Sequence, residues 1–303
     1  MRIACGVQSP LIRLTRKHPI SQSARKRVPE RESMMSDRLK VLISNDDGIH
    51  AEGLRTLAEW LCKRYDVYVC APDRERSAMG HALTMHKPIR VEEIDFHCPV
   101  QKAYSVTGTP SDCVKIALNA VLDVRPDIVV SGINHGPNLG IDVLYSGTVS
   151  AALEGAINHL PSIATSLLNG YEKYADFNPS AEFICDFIPR ALELDLPPKT
   201  ILNVNTPAVT LNEMTGVKTT ELGRRMYTDS YERRVDPRGG VYYWLAGEIT
   251  SESEDPESDV QAIRDNRISV TPIQFDMTHF TVLKNPDFQD KINFSGALVG
   301  MRD

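Results

Sequence analysis

The sequence predicts a three-layer, doubly wound α/β domain with a mainly parallel sheet, followed by a β-rich C-terminal segment. Three observations lead to that reading. Short apolar runs alternate with amphipathic stretches from Leu39 to Val204, the pattern of parallel strands with helices on both faces. Three of the apolar runs end in polar, glycine-bearing or charged turns, at the strand ends where such a fold places its ligands. After about residue 207, aromatic and β-prone runs alternate with polar segments rich in glycine and proline.

Each element has a local reason. Leu39–Ser44 is a short apolar run of buried-strand type, closed by the turn residues Asn45-Asp46-Asp47-Gly48. Leu54, Leu57, Ala58, Leu61 and Cys62 recur at helical spacing. Val67–Ala71 reads as the next strand, so the three pieces make a strand–helix–strand unit. Ala103–Thr107 reads as a strand, and Ser111–Leu122 as a helix with Val114, Ala117, Leu118 and Val121 on one face. Asp127–Ser131 is the most apolar short run and is predicted to be central in the sheet. Thr148–His159 (helix), Ser162–Ser166 (strand), Ala181–Leu194 (helix) and Thr200–Val204 (strand) complete the series. Val241–Leu245 and Arg267–Ile273 are the β-prone runs of the C-terminal segment. The expected organisation is therefore 1–36 as an extension, 37–206 as the α/β domain and 207–303 as an oligomerisation segment.

Composition narrows the function. The chain has 303 residues, 42% hydrophobic and 24% charged, with net charge −6. No run approaches the roughly 18–20 apolar residues of a membrane span, and the negative balance argues against binding a nucleic-acid polymer. Residues 1–36 carry eight Lys or Arg and two acids, leaving −12 on the remainder. That stretch lacks the apolar core of a secretion signal. It reads as a disordered tail or as sequence upstream of a working start at Met34 or Met35, with a transit peptide as the other option. The six cysteines form no C-x-x-C pair. They fit small core residues in a reducing cytoplasm better than a disulfide frame or a zinc site.

Chemistry concentrates at the strand ends. The paired carboxylates Asp46 and Asp47 repel each other unless a divalent cation lies beside them; a solvated turn is the other reading. Gly48 permits a sharp turn and leaves room for a ligand. In Ala71–Ser77, Arg74 and Arg76 are suited to phosphate and Ser77 to an oxygen-rich metal shell, unless the loop is simply a solvated charged one. Ser131–Gly140 carries three glycines four residues apart with Asn134 and Asn138, a loop able to turn backbone N–H groups to an anion. His135 is a possible general acid. The spacing matches neither G-x-G-x-x-G nor a phosphate loop with its Lys-Ser/Thr. Ser146-Gly147-Thr148 opens a helix, first as a cap and then as a phosphate site. Hard oxygen ligands favour Mg²⁺ or Mn²⁺ over Zn²⁺ and phosphoryl chemistry over redox.

These motifs resemble those of the SurE (stationary-phase survival protein) family of 5′/3′-nucleotidases. The resemblance spans roughly 38–285. It rests on Ser44–Ile49, Ala71–Arg74 with Arg76-Ser77, Gly108–Pro110 with Asp112-Cys113, Ser131–Asn134 with Gly136 and Asn138, Tyr145–Thr148, Asn203–Asn205, Leu222–Arg225, Tyr242–Trp244 and Ser269–Pro272. It implies a Rossmann-like domain with a C-terminal segment exchanged between subunits of a homodimer or homotetramer. It also implies hydrolysis of nucleoside 5′- and 3′-monophosphates and, in some members, of short polyphosphate. By motif, one divalent cation is expected on Asp46, Asp47, Ser77 and Asn134. Asp46 and Asp47 are the expected catalytic acids. Substrate or phosphate contacts are expected from Asn45, Gly48, Asn138, Ser146, Gly147 and Thr148. Attack by water and attack by the Asp46 carboxylate both remain open. The competing readings are a nucleotide-binding regulator without turnover and, weakened by the missing glycine fingerprint, a dinucleotide-dependent oxidoreductase. Three positions depart from the family pattern: Ala78 and Asn266, where glycine is usual, and Glu52, where proline is frequent. None removes an expected ligand.

Overall fold

The computed structural model describes residues 38–168, 175–228, 230–252 and 254–292. The basic extension 1–36 and Cys5 lie outside them. In chain order the first elements are β1 (Lys40–Ser44), α1 (Glu52–Leu61), β2 (Asp66–Pro72), β3 (Val91–Glu93), β4 (Lys102–Val106), α2 (Pro110–Ile116), β5 (Ile128–His135), α3 (Gly147–Ile157), β6 (Ser162–Leu167), α4 (Asn178–Glu193) and β7 (Thr200–Thr206). Then follow β8 (Val217–Thr219), β9 (Arg225–Tyr227), β10 (Tyr231–Val235), β11 (Val241–Leu245), β12 (Ile249–Glu252), α5 (Asp259–Arg264), β13 (Ile268–Gln274), α6 (Phe280–Leu283) and α7 (Pro286–Ile292).

Nine strands form one sheet in the order β3-β4-β2-β1-β5-β6-β7-β13-β8. Strands β4, β2, β1, β5, β6 and β7 are mutually parallel. The chain builds outward from β1 to β2 and β4, returns to β5 on the other side of β1, and continues to β6 and β7. That is the doubly wound order predicted from the alternation, and its switch point lies between β1 and β5.

Alternation along β1 assigns the two core layers. Val41 and Ile43 pack in one cluster with Leu54 and Leu57 of α1 and Ile184 and Ile188 of α4. Leu42 packs on the opposite face with Val129, with Cys113 and Val114 of α2, and with Ala151 of α3. All of these are fully buried, and each large aliphatic among them contributes roughly 1.5–3 kcal/mol. The three-layer reading therefore holds, with α1 and α4 on one side and α2 and α3 on the other.

Three differences from the sequence reading have physical causes. The helix expected to reach Leu122 leaves α-geometry at Ile116 and continues as a π-helical turn, Ala117–Val121. The central strand extends from Ser131 to His135, because Asn134 and His135 pair with Ser166 and Leu167 of β6 after a register shift. The run Arg267–Ile273, assigned by sequence to the C-terminal segment, supplies β13, which pairs antiparallel with β7 from Ser269 to Gln274. Its buried Ile268 and Val270 belong to the main core. The remaining β-rich part forms two separate hairpin sheets, β10–β11 and β9–β12. Among the described residues, no helix is long and apolar enough to cross a membrane.

Candidate active site

Asp46 and Asp47 directly follow β1, beside the end of β5, at the switch point. The turn that presents them is built by Asn45. Its side-chain oxygen accepts from Gly48 N (3.2 Å), and its Nδ2 donates to Gly48 O (3.0 Å). Asn45 is fully buried. Gly48 adopts φ +103°, and a Cβ there would lie 3.0 Å from the Arg74 backbone carbonyl carbon. Of the expected substrate contacts, these two shape the turn itself: Asn45 spends its amide on Gly48 and Gly48 is packed against Arg74.

Asp46 is 4% exposed. One oxygen accepts from the Thr148 hydroxyl, and its backbone carbonyl accepts from Arg76 N (2.7 Å). Burial, and then the neighbouring charge of Asp47, pushes its carboxyl up to about 6. Asp47 is half-buried and accepts from His135 N (3.2 Å). Burial also pushes its carboxyl up to about 6, with the His135 N–H opposing and Glu75 adding to the rise. Among the described residues neither acid has an ion-pair partner, and a divalent cation is the group that would return both to the ionised form.

The other expected ligands converge on the same place. Asn134, at the end of β5, donates its amide nitrogen to Gly136 O (2.8 Å), so the carbonyl oxygen is the atom it offers. Ser77 is exposed and donates to Glu75 Oε1 (2.9 Å). Asp46, Ser77 and Asn134 line one cavity of about 350 Å³, together with Asn138, Asp142, Tyr145, Ser146, Arg225 and Tyr227. The donor set is oxygen throughout, and among the described residues no three His, Cys, Asp or Glu side chains group as a metal site. That chemistry suits Mg²⁺ or Mn²⁺ and not Zn²⁺.

The α3 N-terminus closes the site. Ser146 Oγ accepts from Val149 N (3.0 Å), so the serine acts as the helix cap. Thr148 is fully buried with its hydroxyl on Asp46. Ser146 lines the cavity and, accepting from Val149 N, keeps its own O–H to donate to a phosphate, whereas the Thr148 hydroxyl is spent on Asp46. Gly147 is required by proximity: a Cβ would stand 2.6 Å from Asp46 Cβ.

The Asn138 loop is braced from β7. Asn205 accepts from Asn138 N (2.8 Å), and Asn203 and Asn205 both donate to Asn138 O (2.9 and 3.1 Å). Asn138 Nδ2 reaches Ser166 Oγ (2.7 Å). Two further candidates have partners within the fold. Arg76 turns to Asp73 (3.1 Å) and Thr107 O (3.4 Å), in keeping with the reading of a charged loop. His135 packs its ring on Phe177 with centroids 4.9 Å apart, and burial holds it below the usual histidine range.

The far wall was not read from sequence. Arg225, on β9, pairs with Asp142 and with Glu252 (2.9 Å). The Tyr227 hydroxyl donates to Asp142 (2.8 Å), and burial with that hydrogen bond pushes the phenol up to about 12. Leu222–Arg225 and Tyr145 are motif positions, yet nothing local in their spelling announces a cavity wall.

Comparison with known proteins supplies a second line. The family described as survival protein SurE matches residues 41–229. A 5′-nucleotidase SurE from Alkaliphilus metalliredigens is 51% identical over 247 residues, covering 81% of this chain and 96% of the relative. One from Crocosphaera subtropica is 52% identical over 251 residues, covering 79% and 90%. The crystal structure of the SurE protein from Aquifex aeolicus superposes with a TM-score of 0.70 at 38% identity, covering 83% of this chain and 99% of that one.

Proposed function

The chain belongs to the survival protein SurE family, and from that premise we propose that it hydrolyses nucleoside 5′-monophosphates to nucleoside and phosphate with the help of one divalent cation. The observation that carries the reading is the meeting of Asp46, Ser77 and Asn134 on one cavity, with Asp47 adjacent and the start of α3 beside Asp46. The relatives named 5′-nucleotidase support the reaction class.

Asp46, Asp47, Ser77 and Asn134 would hold Mg²⁺ or Mn²⁺, which when bound neutralises phosphate charge and acidifies a water. The chain's own groups do the rest. Thr148 fixes the rotamer of Asp46, and Gly136 O fixes the amide of Asn134. The N–H of Gly147, at the positive end of an 11-residue helix, is suited to bind a phosphoryl oxygen, while Thr148 gives both its hydroxyl and its N–H to Asp46. Asp47, half-buried and held by His135 N, is the carboxylate suited to take a proton from the attacking water. The cavity, about 350 Å³, has the dimensions of a small-molecule site. Activity on 3′-monophosphates and short polyphosphate belongs to the same proposal, since the phosphate-facing groups do not read the rest of the ester.

A homodimer or homotetramer is part of the reading. The β10–β11 hairpin exposes Tyr231 (66%), Tyr243 (60%) and Leu245 (71%) on one face, an apolar surface suited to a second copy. Light scattering of the full chain measures this directly, and a monomer at micromolar concentration would reject it.

The deciding experiment is phosphate release from 5′- and 3′-nucleotides, short polyphosphate and p-nitrophenyl phosphate, with Mn²⁺, with Mg²⁺ and with chelator. Metal-dependent release from nucleotides is the expected result. Nucleotide binding without release from folded protein would replace the enzyme by a regulator.

A further inference from the structure

A cluster of polar side chains around one buried carboxylate lies outside the site just described. Glu154, in the second turn of α3, is 2% exposed. Its carboxylate receives Lys115 Nζ (2.9 Å), Asn158 Nδ2 (2.9 Å) and His81 Nε2 (3.1 Å). Burial works against its charge, but the hydrogen bonds from His81 and Lys115 outweigh it and hold the carboxyl below its usual value. Only the carboxylate is buried, the Lys115 and His81 side chains being 50% and 29% exposed; a partly exposed ion pair adds little net stability, so its use must be sought in what it positions.

His81 lies four residues after Ser77, on the same loop. Its start is held just before Ser77, where Arg76 N donates to Asp46 O (2.7 Å) and the Arg76 side chain reaches Asp73 and Thr107 O; beyond Ser77 the holds are fewer. Gly80 N donates to Tyr145 O (2.9 Å), Ala82 O accepts from Thr109 Oγ1 (2.7 Å), and Thr84 N donates to Asp112 (3.1 Å). His81 is the one side chain between Ser77 and Thr84 with a hydrogen bond to α3 among the described residues. The same helix grips Asp46 through Thr148. Thr148 and Glu154 are six residues apart, about 9 Å along the helix axis. One rigid element therefore indexes both the β1 acids and the Ser77 loop.

We propose that His81, docked on Glu154, is a positioning residue that sets the Ser77 loop against the Asp46–Asp47 pair. As far as the cation is concerned, this rests on the reading of Ser77 as a ligand. His81 touches no reacting atom.

The test uses the full chain and two readouts: hydrogen exchange of amides 78–84, and Mn²⁺ affinity by calorimetry without substrate. His81→Ala should lower protection of those amides and weaken Mn²⁺ about tenfold. His81→Gln, whose amide nitrogen can stand in for Nε2, should restore both to within about threefold. Ser77→Ala should weaken Mn²⁺, and adding His81→Ala to it should cost less than in the parent, because both act through one contact. Glu154→Gln keeps the size and removes the charge, so it serves if His81→Ala does not fold; it should loosen the same amides. If Ser77→Ala weakens Mn²⁺ while His81→Ala changes neither readout, the positioning role is overturned. If Ser77→Ala leaves Mn²⁺ affinity unchanged, it is Ser77's ligand role that fails, and the exchange data alone decide for or against His81.

Discussion

Asp46, at the end of β1, takes the hydroxyl of Thr148, in the first turn of α3, as a hydrogen-bond donor. The two residues are 102 positions apart in the chain and both are buried. A charge-assisted bond of this kind is worth about 1.5–3 kcal/mol. Thr148→Val keeps the shape and removes the donor. It should lower kcat/KM about 10- to 100-fold at saturating Mn²⁺, with the melting temperature lowered by a few degrees and the fold retained. Asp46→Asn goes further and should abolish phosphate release while circular dichroism stays native. Near-normal turnover in Asp46→Asn would remove this carboxylate from the reaction.

Gly147 lets α3 start against Asp46. A methyl group there would lie 2.6 Å from Asp46 Cβ and 2.8 Å from Oδ2, so either the acid or the helix must shift. A displacement near 1 Å in a catalytic constellation costs on the order of 100-fold. Gly147→Ala should therefore lose about two orders of magnitude in kcat/KM while still folding. Helix propensity alone would favour alanine, so a variant with unchanged kinetics would show that the helix start yields freely.

Asn205 is fully buried and devotes both ends of its amide to the backbone of Asn138. Asn205→Ala leaves the Asn138 N–H without that acceptor in a buried place. A loss of about 1–3 kcal/mol in urea unfolding is expected, with KM raised more than kcat is lowered, since Asn138 lines the cavity. Equal loss of stability with unchanged KM would confine Asn205 to the scaffold.

Legibility followed locality. The parallel strands, four helices and the switch-point acids could be read because hydrophobic period and turn chemistry are written in adjacent residues. Positive φ at Asn266 (54°) and Ala78 (56°) was likewise signalled by residues standing where glycine is usual. The rest is tertiary. The turn at Asn45–Gly48 is local and legible, but the packing of Gly48 against Arg74 joins segments that the sequence keeps apart. β13 pairs with β7 across more than 60 residues of chain, which no local pattern encodes. The Arg225–Asp142 pair and the His81–Glu154 pair depend in the same way on where separate elements land.

The two strand-end acids give the metal a pH signature. In the metal-free chain Asp46 and Asp47 lie near 6, against an ordinary 3.8. Between pH 4 and 6 the folded state therefore keeps protons that the unfolded chain has already released. Stability of the metal-free protein must then fall as pH rises through that window, and the full cost persists above 6. A divalent cation on the same carboxylates removes the cost but must first displace the protons. Mn²⁺ affinity should rise about tenfold or more per pH unit below 6 and level off above it. The increase in Tm on adding Mn²⁺ should accordingly be small at pH 5 and large at pH 7.5. Thermal melts with and without Mn²⁺ across that range measure it. A Tm increase independent of pH would mean that the cation binds elsewhere, because no site built on these two acids can ignore their protons.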